Sequence, residues 1–344
     1  MDINKRNTLY KFEALLVKSL IDDLDSTDIK KSTHKSLMAF NENFIEHFDS
    51  SIKQFPSLVK NIYLPLGILN LFSNMDTDSL DNTINMHEFN KAKRYVEVLL
   101  NINLDRIQWH HLEYSVSEYS EGSCWPCNDE DHYIFTYYNE DGALSKDLLV
   151  HEIGHAADFK ISRTKNDDTL LLGHITLREA IAFYCQYKYL SDFGTPTMRI
   201  GSFGSFIFTY LNILVLNYCL KNNIQLQDLA PEDIINDSSM NELVSSYNIF
   251  DPSGEYGRNF IIEKIYSIKS RFSNLGDVVC GEIQPRFGAI LGIYLLDKNS
   301  DFIKDIILSN SLSRDISSII EIIIPNYNEE ISNLPERLLK YFKL

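Results

Sequence analysis

The stretch LLVHEIGHAADF, residues 148–159, decides both the fold and the chemistry of this chain. Its apolar and small residues predict one continuous, buried helix. Residues four apart on a helix lie about 40° apart around its axis, so the imidazoles of His151 and His155 can reach one metal ion. Glu152 lies about 100° around from His151, which suits contact with a water beside that metal better than direct ligation. The pattern predicts an HExxH metal site with Glu152 as general base.

A catalytic zinc site has a third protein ligand and leaves one position open for water. Asp158 and Ile161 stand where a metzincin sequence has glycine and histidine, which excludes that class. We predict Glu179 as the third ligand, because its distance from the motif and its helical context, TLREAIAFY, are those of gluzincins. Thr176 and Glu179 also form a capping-box pattern, so a capping role for Glu179 stays open. His174 is the alternative ligand.

Two further features lie close to the motif in sequence. Asp158 shares a helix face with the two histidines, so its carboxylate could hold the second ring nitrogen of a ligand histidine; the alternative is an ordinary exposed acid. Cys124 and Cys127 form a CWPC motif like that of thioredoxin-type pairs, but redox motifs of that kind start a helix and this one precedes a predicted strand. We interpret it as a turn with two thiols near the mouth of the site.

The composition is that of a folded, acidic protein. Of the 344 residues, 44% are hydrophobic and 23% are charged, which is enough apolar content to bury a sizeable core. Lys and Arg number 32 against 48 Asp and Glu, giving a net charge of −16, which argues against a general nucleic-acid or anionic-membrane binder. The five cysteines are few, scattered and odd in number, so we predict a reducing compartment and no disulfide scaffold.

The location of the protein is suggested by two stretches. The N-terminus has an amphipathic helical pattern followed at once by acids, unlike a signal peptide. We therefore expect a cytoplasmic protein, or one exported without a cleavable signal peptide as a bacterial effector. Residues 200–220 carry no charge and are long enough to span a membrane. Because this stretch contains several serine, threonine and asparagine residues, we predict a buried core helix and keep a membrane span as the alternative.

The pattern of periodicity changes once along the chain. Three early segments have apolar residues near helical spacing: KFEALLVKSLIDDL, FNENFIEHFDSSIKQF and HEFNKAKRYVEVLLNI. Two later segments, IQWHHLEYSVSEYS and HYIFTYY, are rich in aromatic and β-branched residues and are predicted strands. After them the pattern is helical again. We predict an N-terminal helical region, residues 1–103, and a catalytic region, residues 104–344.

Residues 118–190 resemble the active-site region of the thimet-oligopeptidase and oligopeptidase F family. The resemblance is carried by EGSCWPCNDEDHYIFTYYNEDGALSKDLLVHEIGHAADF, in which Tyr138, Asn139 and Gly142 fall at the matching places before the zinc helix. It implies a mainly α (α+β), zincin-like fold with a small sheet beside the zinc-binding helix. It also implies a third ligand at the position of Glu179 and zinc-dependent cleavage of peptide bonds.

The chain departs from that family in three respects. It is much shorter, so the deep channel that restricts those enzymes to short peptides need not be present. The family usually has a histidine where Asp158 stands. The family's tyrosine-rich C-terminal loop, which stabilises the oxyanion, has no clean counterpart here.

Attack of water on a carbonyl builds negative charge that zinc only partly neutralises, so a further donor is expected opposite the metal. The candidates are Arg286, Tyr294, Tyr256 and Arg258; ordinary packing or a surface ion pair is the alternative role for each. Arg286 leads because Pro285 predicts a helix start just before it. Gly288 and Gly292 would let that helix approach the zinc helix and direct Arg286 into the cleft.

The sequence thus predicts a gluzincin-type zinc metallopeptidase with one Zn²⁺ per chain and a peptide or protein substrate. HYIFTYY would supply the sheet edge on which an extended substrate pairs its backbone. Three alternatives stay open: a binding or regulatory protein with an inactive metal site, a bacterial effector protease with one specific protein target, and a membrane-embedded metalloprotease. The intact Glu152 argues against the first, because a structural site has no use for a base.

Overall fold

The computed structural model describes residues 2–74, 84–113, 122–138 and 146–342, which are mainly helical with one small sheet. The strands are β1 (Ile107–Glu113), β2 (Gly122–Cys127) and β3 (Asp131–Tyr138). The α-helices of the described residues are α1 (Ile3–Ile21), α2 (Thr27–Met38), α3 (Phe44–Val59), α4 (Met86–Leu100), α5 (Lys146–Arg163), α6 (Ile175–Phe193), α7 (Pro196–Gly201), α8 (Phe203–Asn222), α9 (Pro231–Ile234), α10 (Ser238–Ser246), α11 (Glu255–Arg271), α12 (Leu275–Val278), α13 (Gln284–Leu295), α14 (Ser300–Ser309), α15 (Ile316–Ile323), α16 (Tyr327–Glu330) and α17 (Leu334–Phe342). This architecture confirms the predicted fold class.

Local sequence explains where several helices begin and end. The Asn85 side chain accepts hydrogen bonds from the backbone N–H groups of His87 and Glu88 and so starts α4. Asn101 and Asn223 end α4 and α8 in the left-handed conformation, at φ 49° and 53°. Asparagine tolerates that conformation better than most residues, so it serves as the helix stop in a chain with only 14 glycines.

The sheet has the order β1-β3-β2, which corrects the predicted role of HYIFTYY. That segment is β3, the central strand, paired in parallel with β1 on one side and antiparallel with β2 on the other. Its backbone is therefore committed on both sides and cannot receive a substrate strand. Within the described residues, the edge strands of this sheet are β1 and β2.

The CWPC motif is also corrected, because it lies in β2 and not in a turn. Successive side chains of a strand point to opposite faces, so Cys124 and Cys127, three residues apart, face opposite sides of the sheet. Cys124 packs with the main helical core, whereas Cys127 packs with α1. Both thiols are free, and this placement argues against a redox pair.

Small residues bring three core helices close together. A Cβ added at Gly154 of α5 would lie 2.8 Å from the Ala182 Cα of α6. A Cβ added at Gly288 of α13 would lie 2.4 Å from the Glu179 Cβ, also on α6. Helix α6 thus packs between α5 and α13. The prediction that the glycines of 288–292 face the zinc helix is corrected: they face the helix that carries Glu179.

The long apolar stretch is part of the helical core. Among the described residues, Pro196–Asn222 is long and apolar enough to cross a membrane, and 67% of its most apolar window is buried inside the protein. Phe203, Phe206 and Ile213 on α8 are buried among the other helices. This packing agrees with the predicted core helix.

Helix α1 packs on the sheet face opposite α5, and a buried ion pair ties it to the end of α5. Glu13 accepts hydrogen bonds from Arg163, at 2.7 and 3.1 Å, and both side chains are nearly inaccessible. The Asn128 backbone N–H, in the turn between β2 and β3, donates to the same carboxylate. Residues on both sides of position 103 also share one hydrophobic core. The division into residues 1–103 and 104–344 stays a prediction.

Candidate metal centre

Three potential ligands converge between α5 and α6. The ligand atoms of His151, His155 and Glu179 all lie within 4.8 Å of one another. The Nε2 atoms of His151 and His155 lie 3.5 and 3.6 Å from the two carboxylate oxygens of Glu179. The three side chains are 12%, 13% and 20% exposed, so the cluster is recessed but reachable from solvent. Two imidazoles and one carboxylate are the donor set of a catalytic zinc site with an open position.

The structure shows neither a capping role for Glu179 nor His174 within the ligand cluster. Helix α6 begins at Ile175 with His174 as its N-cap, so Thr176 and Glu179 do not stand at the positions of a capping box. The His174 ring lies 2.8 Å from the Arg314 carbonyl and 3.4 Å from the Ser51 hydroxyl, away from the two motif histidines. The carboxylate of Glu179 is instead directed at those histidines.

Helix α13 contributes to the placement of Glu179. Gly288 packs directly on the α6 backbone, where an added Cβ would lie 2.7 Å from the Ala180 nitrogen. One turn on, a Cβ at Gly292 would lie 2.9 Å from the Phe183 Cβ. The ring of Phe183 in turn contacts the His151 imidazole edge to face, at 4.6 Å between centroids. Close packing therefore fixes both the carboxylate and one imidazole of the cluster.

A partly buried hydrogen-bond relay, which was not predicted from the sequence, orients His151. Gln186 donates from Nε2 to the Asp147 carboxylate at 2.6 Å, so its Oε1 faces the His151 Nδ1 at 3.1 Å. An amide oxygen only accepts, so this contact requires the hydrogen on Nδ1 and leaves Nε2 with a lone pair for a metal. Gln186 lies seven residues after Glu179, which is two turns further along the same helix face. This spacing is the feature of the sequence that places Gln186 on the side of α6 that faces the histidines.

Asp158 does not have the predicted role of holding a ligand histidine. It is buried and accepts a hydrogen bond from Arg178 at 3.0 Å. Arg178 also donates to the carbonyl oxygens of Leu170 and Leu171, so Asp158 neutralises a buried guanidinium. The alternative of an exposed acid is wrong as well, because Asp158 is 1% exposed.

Glu152 lies on the wall between the cluster and the sheet. It is 5% exposed, and a Cβ added at Gly122 of β2 would lie 2.9 Å from its Oε1. Burial raises the pKa of Glu152 to about 7, and the lowering effect of His151 only partly offsets it. A carboxyl group with a pKa near neutrality suits a group that both accepts and donates a proton.

The three ligand candidates influence one another electrostatically. Burial lowers the pKa of His155 to about 4, which keeps the ring neutral and able to bind a metal. Burial would lower the pKa of His151 too, but the hydrogen bond and charge of Glu179 raise it overall. Burial raises the pKa of Glu179, whereas the two histidines lower it. The effect of the histidines is the larger, so the pKa of Glu179 lies below its usual value.

The four oxyanion candidates lie in different places. Arg286 donates to Glu282 at 2.8 Å and is 40% exposed, yet its charge also helps to lower the pKa of Glu179. It is thus close enough to influence the cluster, and its role stays a prediction. Arg258 is exposed on α11.

The two tyrosines are corrected. Tyr294 donates its hydroxyl to the Glu330 carbonyl at 2.8 Å, and it lies about 200° around α13 from Gly292, on the side away from α6. Tyr256 is 48% exposed and packs in an aromatic group with Tyr247 and Phe260. Of the positions that carried the family resemblance, Asn139 and Gly142 lie outside the described residues, as does the Tyr138 side chain.

No family model matches the chain, and no curated protein matches it. Among solved structures, similarity was found to an oligoendopeptidase F from Bacillus anthracis, with a TM-score of 0.42, 12% identity, and coverage of 96% of this chain and 65% of the other. Trypanosoma cruzi metallocarboxypeptidase 1 matches with a TM-score of 0.40, 13% identity, and coverage of 99% and 78%. The BsuCP crystal structure matches with a TM-score of 0.34, 14% identity, and coverage of 95% and 78%.

This chain therefore spans less than two thirds of the length of the oligoendopeptidase F structure that it resembles. Because all three TM-scores are below 0.5, the likeness carries no argument about activity. The function has to be inferred from the chain's own side chains.

Proposed function

We propose that this protein is a gluzincin-type zinc metallopeptidase that holds one Zn²⁺ with His151, His155 and Glu179. The observation that carries the proposal is the convergence of their ligand atoms within 4.8 Å on two closely packed helices. The donor set suits zinc, and the relay through Gln186 leaves the His151 Nε2 free to bind it. A bound zinc ion would polarise the substrate carbonyl and make a water more acidic.

The chain's own residues would supply the remaining chemistry. Glu152 would take a proton from the attacking water and deliver it to the leaving amine, a role that its pKa of about 7 suits. The edge strand next to Glu152 is β2, which replaces β3 as the strand on which an extended peptide would pair its backbone. Arg286 remains the candidate for stabilising the oxyanion. The five free cysteines fit a reducing compartment such as the cytoplasm.

The proposal is tested by measuring zinc content and peptide hydrolysis on matched variants. Elemental analysis should find one zinc per wild-type chain, little in Glu179→Ala, and full content in His174→Gln, in which a histidine outside the cluster is replaced. Glu152→Gln should keep zinc and fold but lose hydrolysis of a peptide library by about 10²–10⁴-fold, because an amide cannot accept the proton. A folded wild-type chain that binds no transition metal, or an active Glu152→Gln variant, would contradict the proposal.

A further inference from the structure

A cavity of about 290 Å³ is lined in part by β2, α5 and α6, the three elements that surround the metal centre. It is lined by Cys124 on β2, by Phe159 on α5 and by Arg178 on α6. Phe159 follows His155 by one turn, about 6 Å along the helix, and Arg178 directly precedes Glu179. Cys124 is two residues from Gly122, the residue that contacts Glu152, and so lies about 7 Å along the strand on the same face. Along α5 and β2 the cavity wall is therefore about 6–7 Å from the residues of the metal centre, about the length of two residues of an extended peptide.

The outer edge of β2 forms part of this cavity. Cys124, Trp125 and Pro126 all line it, although consecutive side chains of a strand point to opposite faces. A space that touches both faces of a strand lies at the edge of that strand. In the described part of the chain β2 pairs with β3 only, so the edge opposite β3 is the one that meets the cavity. A peptide paired along this edge would direct side chains into the cavity.

The charged groups of the cavity wall are already neutralised within the protein. Arg163 is paired with Glu13 at 2.7 Å, and Arg178 is paired with Asp158 at 3.0 Å. Both guanidinium groups also lie over the Phe159 ring, at 5.6 and 4.7 Å from its centroid. The wall also holds His34, His174 and the Arg163 Nε, a buried donor without a hydrogen-bond partner among the described residues. Because the Arg163 and Arg178 charges are balanced, a charged occupant would lose its hydration without meeting an unpaired guanidinium charge, and the wall therefore disfavours it.

Much of the remaining wall is apolar, and a large part of it comes from the N-terminal helices; Thr33, His34, Ser51, His174 and Gln284 add polar groups. Leu16 of α1, Leu37 of α2, and Phe44 and Phe48 of α3 face the cavity together with Trp125. Aromatic and branched aliphatic walls favour an occupant that buries apolar surface. The predicted N-terminal helical region, residues 1–103, thus supplies eight of the 21 residues that line a pocket next to the proposed catalytic centre.

We propose that this cavity is a specificity pocket that receives a large apolar or aromatic side chain of the peptide substrate, next to the cleaved bond. This inference rests on the proposed peptidase function and deepens it by naming the substrate class. Discrimination between a fitting and a missing apolar side chain in such a pocket is about 10–200-fold in kcat/KM.

The first test is hydrolysis of a peptide series by the zinc-loaded full chain. The peptides differ at one position, occupied by Phe, Leu, Ala, Lys or Asp, which is moved stepwise across the cleavage site. At one position Phe or Leu should exceed Ala by at least about tenfold in kcat/KM, and Lys and Asp should be the poorest. Leu37→Trp, which fills the cavity, should reduce the Phe-to-Ala ratio about tenfold or more. The control Leu24→Trp places the same ring on an exposed position and should leave the ratio unchanged.

A second test does not depend on catalysis. Trp125 lines the cavity, so binding of a Phe-containing peptide to the Glu152→Gln variant should change its fluorescence, and Trp125→Phe should abolish that signal. If the peptide binds but the wild-type chain does not hydrolyse it, the peptidase function is refuted and the proposed pocket is still supported. If the chain hydrolyses peptides with no preference for apolar side chains, or with a preference for acidic ones, the proposed pocket is refuted and the peptidase function is still supported.

Discussion

Replacement of Gly288 by alanine tests whether the contact between α13 and α6 positions the metal centre. The added Cβ would lie 2.4 Å from the Glu179 Cβ and 2.7 Å from the Ala180 nitrogen, and the latter is backbone that cannot rotate away. Forcing one extra carbon into a closely packed core costs about 1–3 kcal/mol. Alanine in a helix interior gains up to about 1 kcal/mol over glycine from propensity. We therefore expect a net loss of about 1–2 kcal/mol in the free energy of unfolding.

The assay is urea unfolding of the metal-free protein, followed by zinc affinity measured in competition with a chelating dye. Because α6 has to move away from α13, Glu179 should move with it, and zinc affinity should fall by about tenfold or more. Gly204→Ala is the matched control: it is also a helical glycine, but an added Cβ meets nothing within 4 Å, so stability should stay or rise. A Gly288→Ala protein that equals the wild type in both stability and zinc affinity would refute this account of the packing.

Two further outcomes are expected. Gln186→Leu removes the acceptor that holds the His151 Nδ1 hydrogen and should lower zinc affinity about 10–100-fold. The exchange of Gln186→Glu together with Asp147→Asn keeps an acceptor at His151 and a donor between the two side chains, so it should retain most of the wild-type affinity; equal affinities for the Leu variant and the exchange would contradict the relay. His132 is fully buried, and burial lowers its pKa to about 3, below the value of about 6.5 in the unfolded chain. The unfolded state then binds the extra proton, so His132 makes stability fall by about 1.4 kcal/mol per pH unit as pH drops from about 6.5 towards 3. Stability curves of the wild type and His132→Gln, measured by urea unfolding across that range, should differ by this slope; parallel curves would contradict it.

The fold class was predictable because helical periodicity is strong on both sides of the short strands. The three N-terminal segments with helical spacing correspond to α1, α3 and α4, and the two predicted strands contain β1 and β3. Strand order was not predictable, because the residues of a strand do not determine how many other strands pair with it. The sequence alone is therefore compatible with HYIFTYY as an edge strand. It does not predict β2, because Gly122 and Pro126 are residues typical of turns.

Within the site, local spacing was informative and long-range partners were not. The i and i+4 histidines and the glutamate between them follow from helix geometry alone. The partner of Asp158 could not be predicted, because Arg178 lies on another helix. Whether Asp158 pairs with a histidine or with an arginine depends on how the helices pack, which the sequence does not show. The oxyanion candidates were equally open, since Tyr294 and Tyr256 look alike in sequence until their surroundings are known.

The link between Glu13 and Arg163 has a consequence for the order in which this chain folds. The two residues are 150 positions apart, and the sheet face that α1 covers is formed by residues of β1, β2 and β3, from position 112 onward. During synthesis α1 emerges first, but its buried charge has no partner until the end of α5 has been made. Contacts of such long sequence separation form late, because the entropy of closing the loop has to be lost before they stabilise anything. The N-terminal helices, and with them one wall of the proposed pocket, should therefore dock only after the metal-binding helices have assembled.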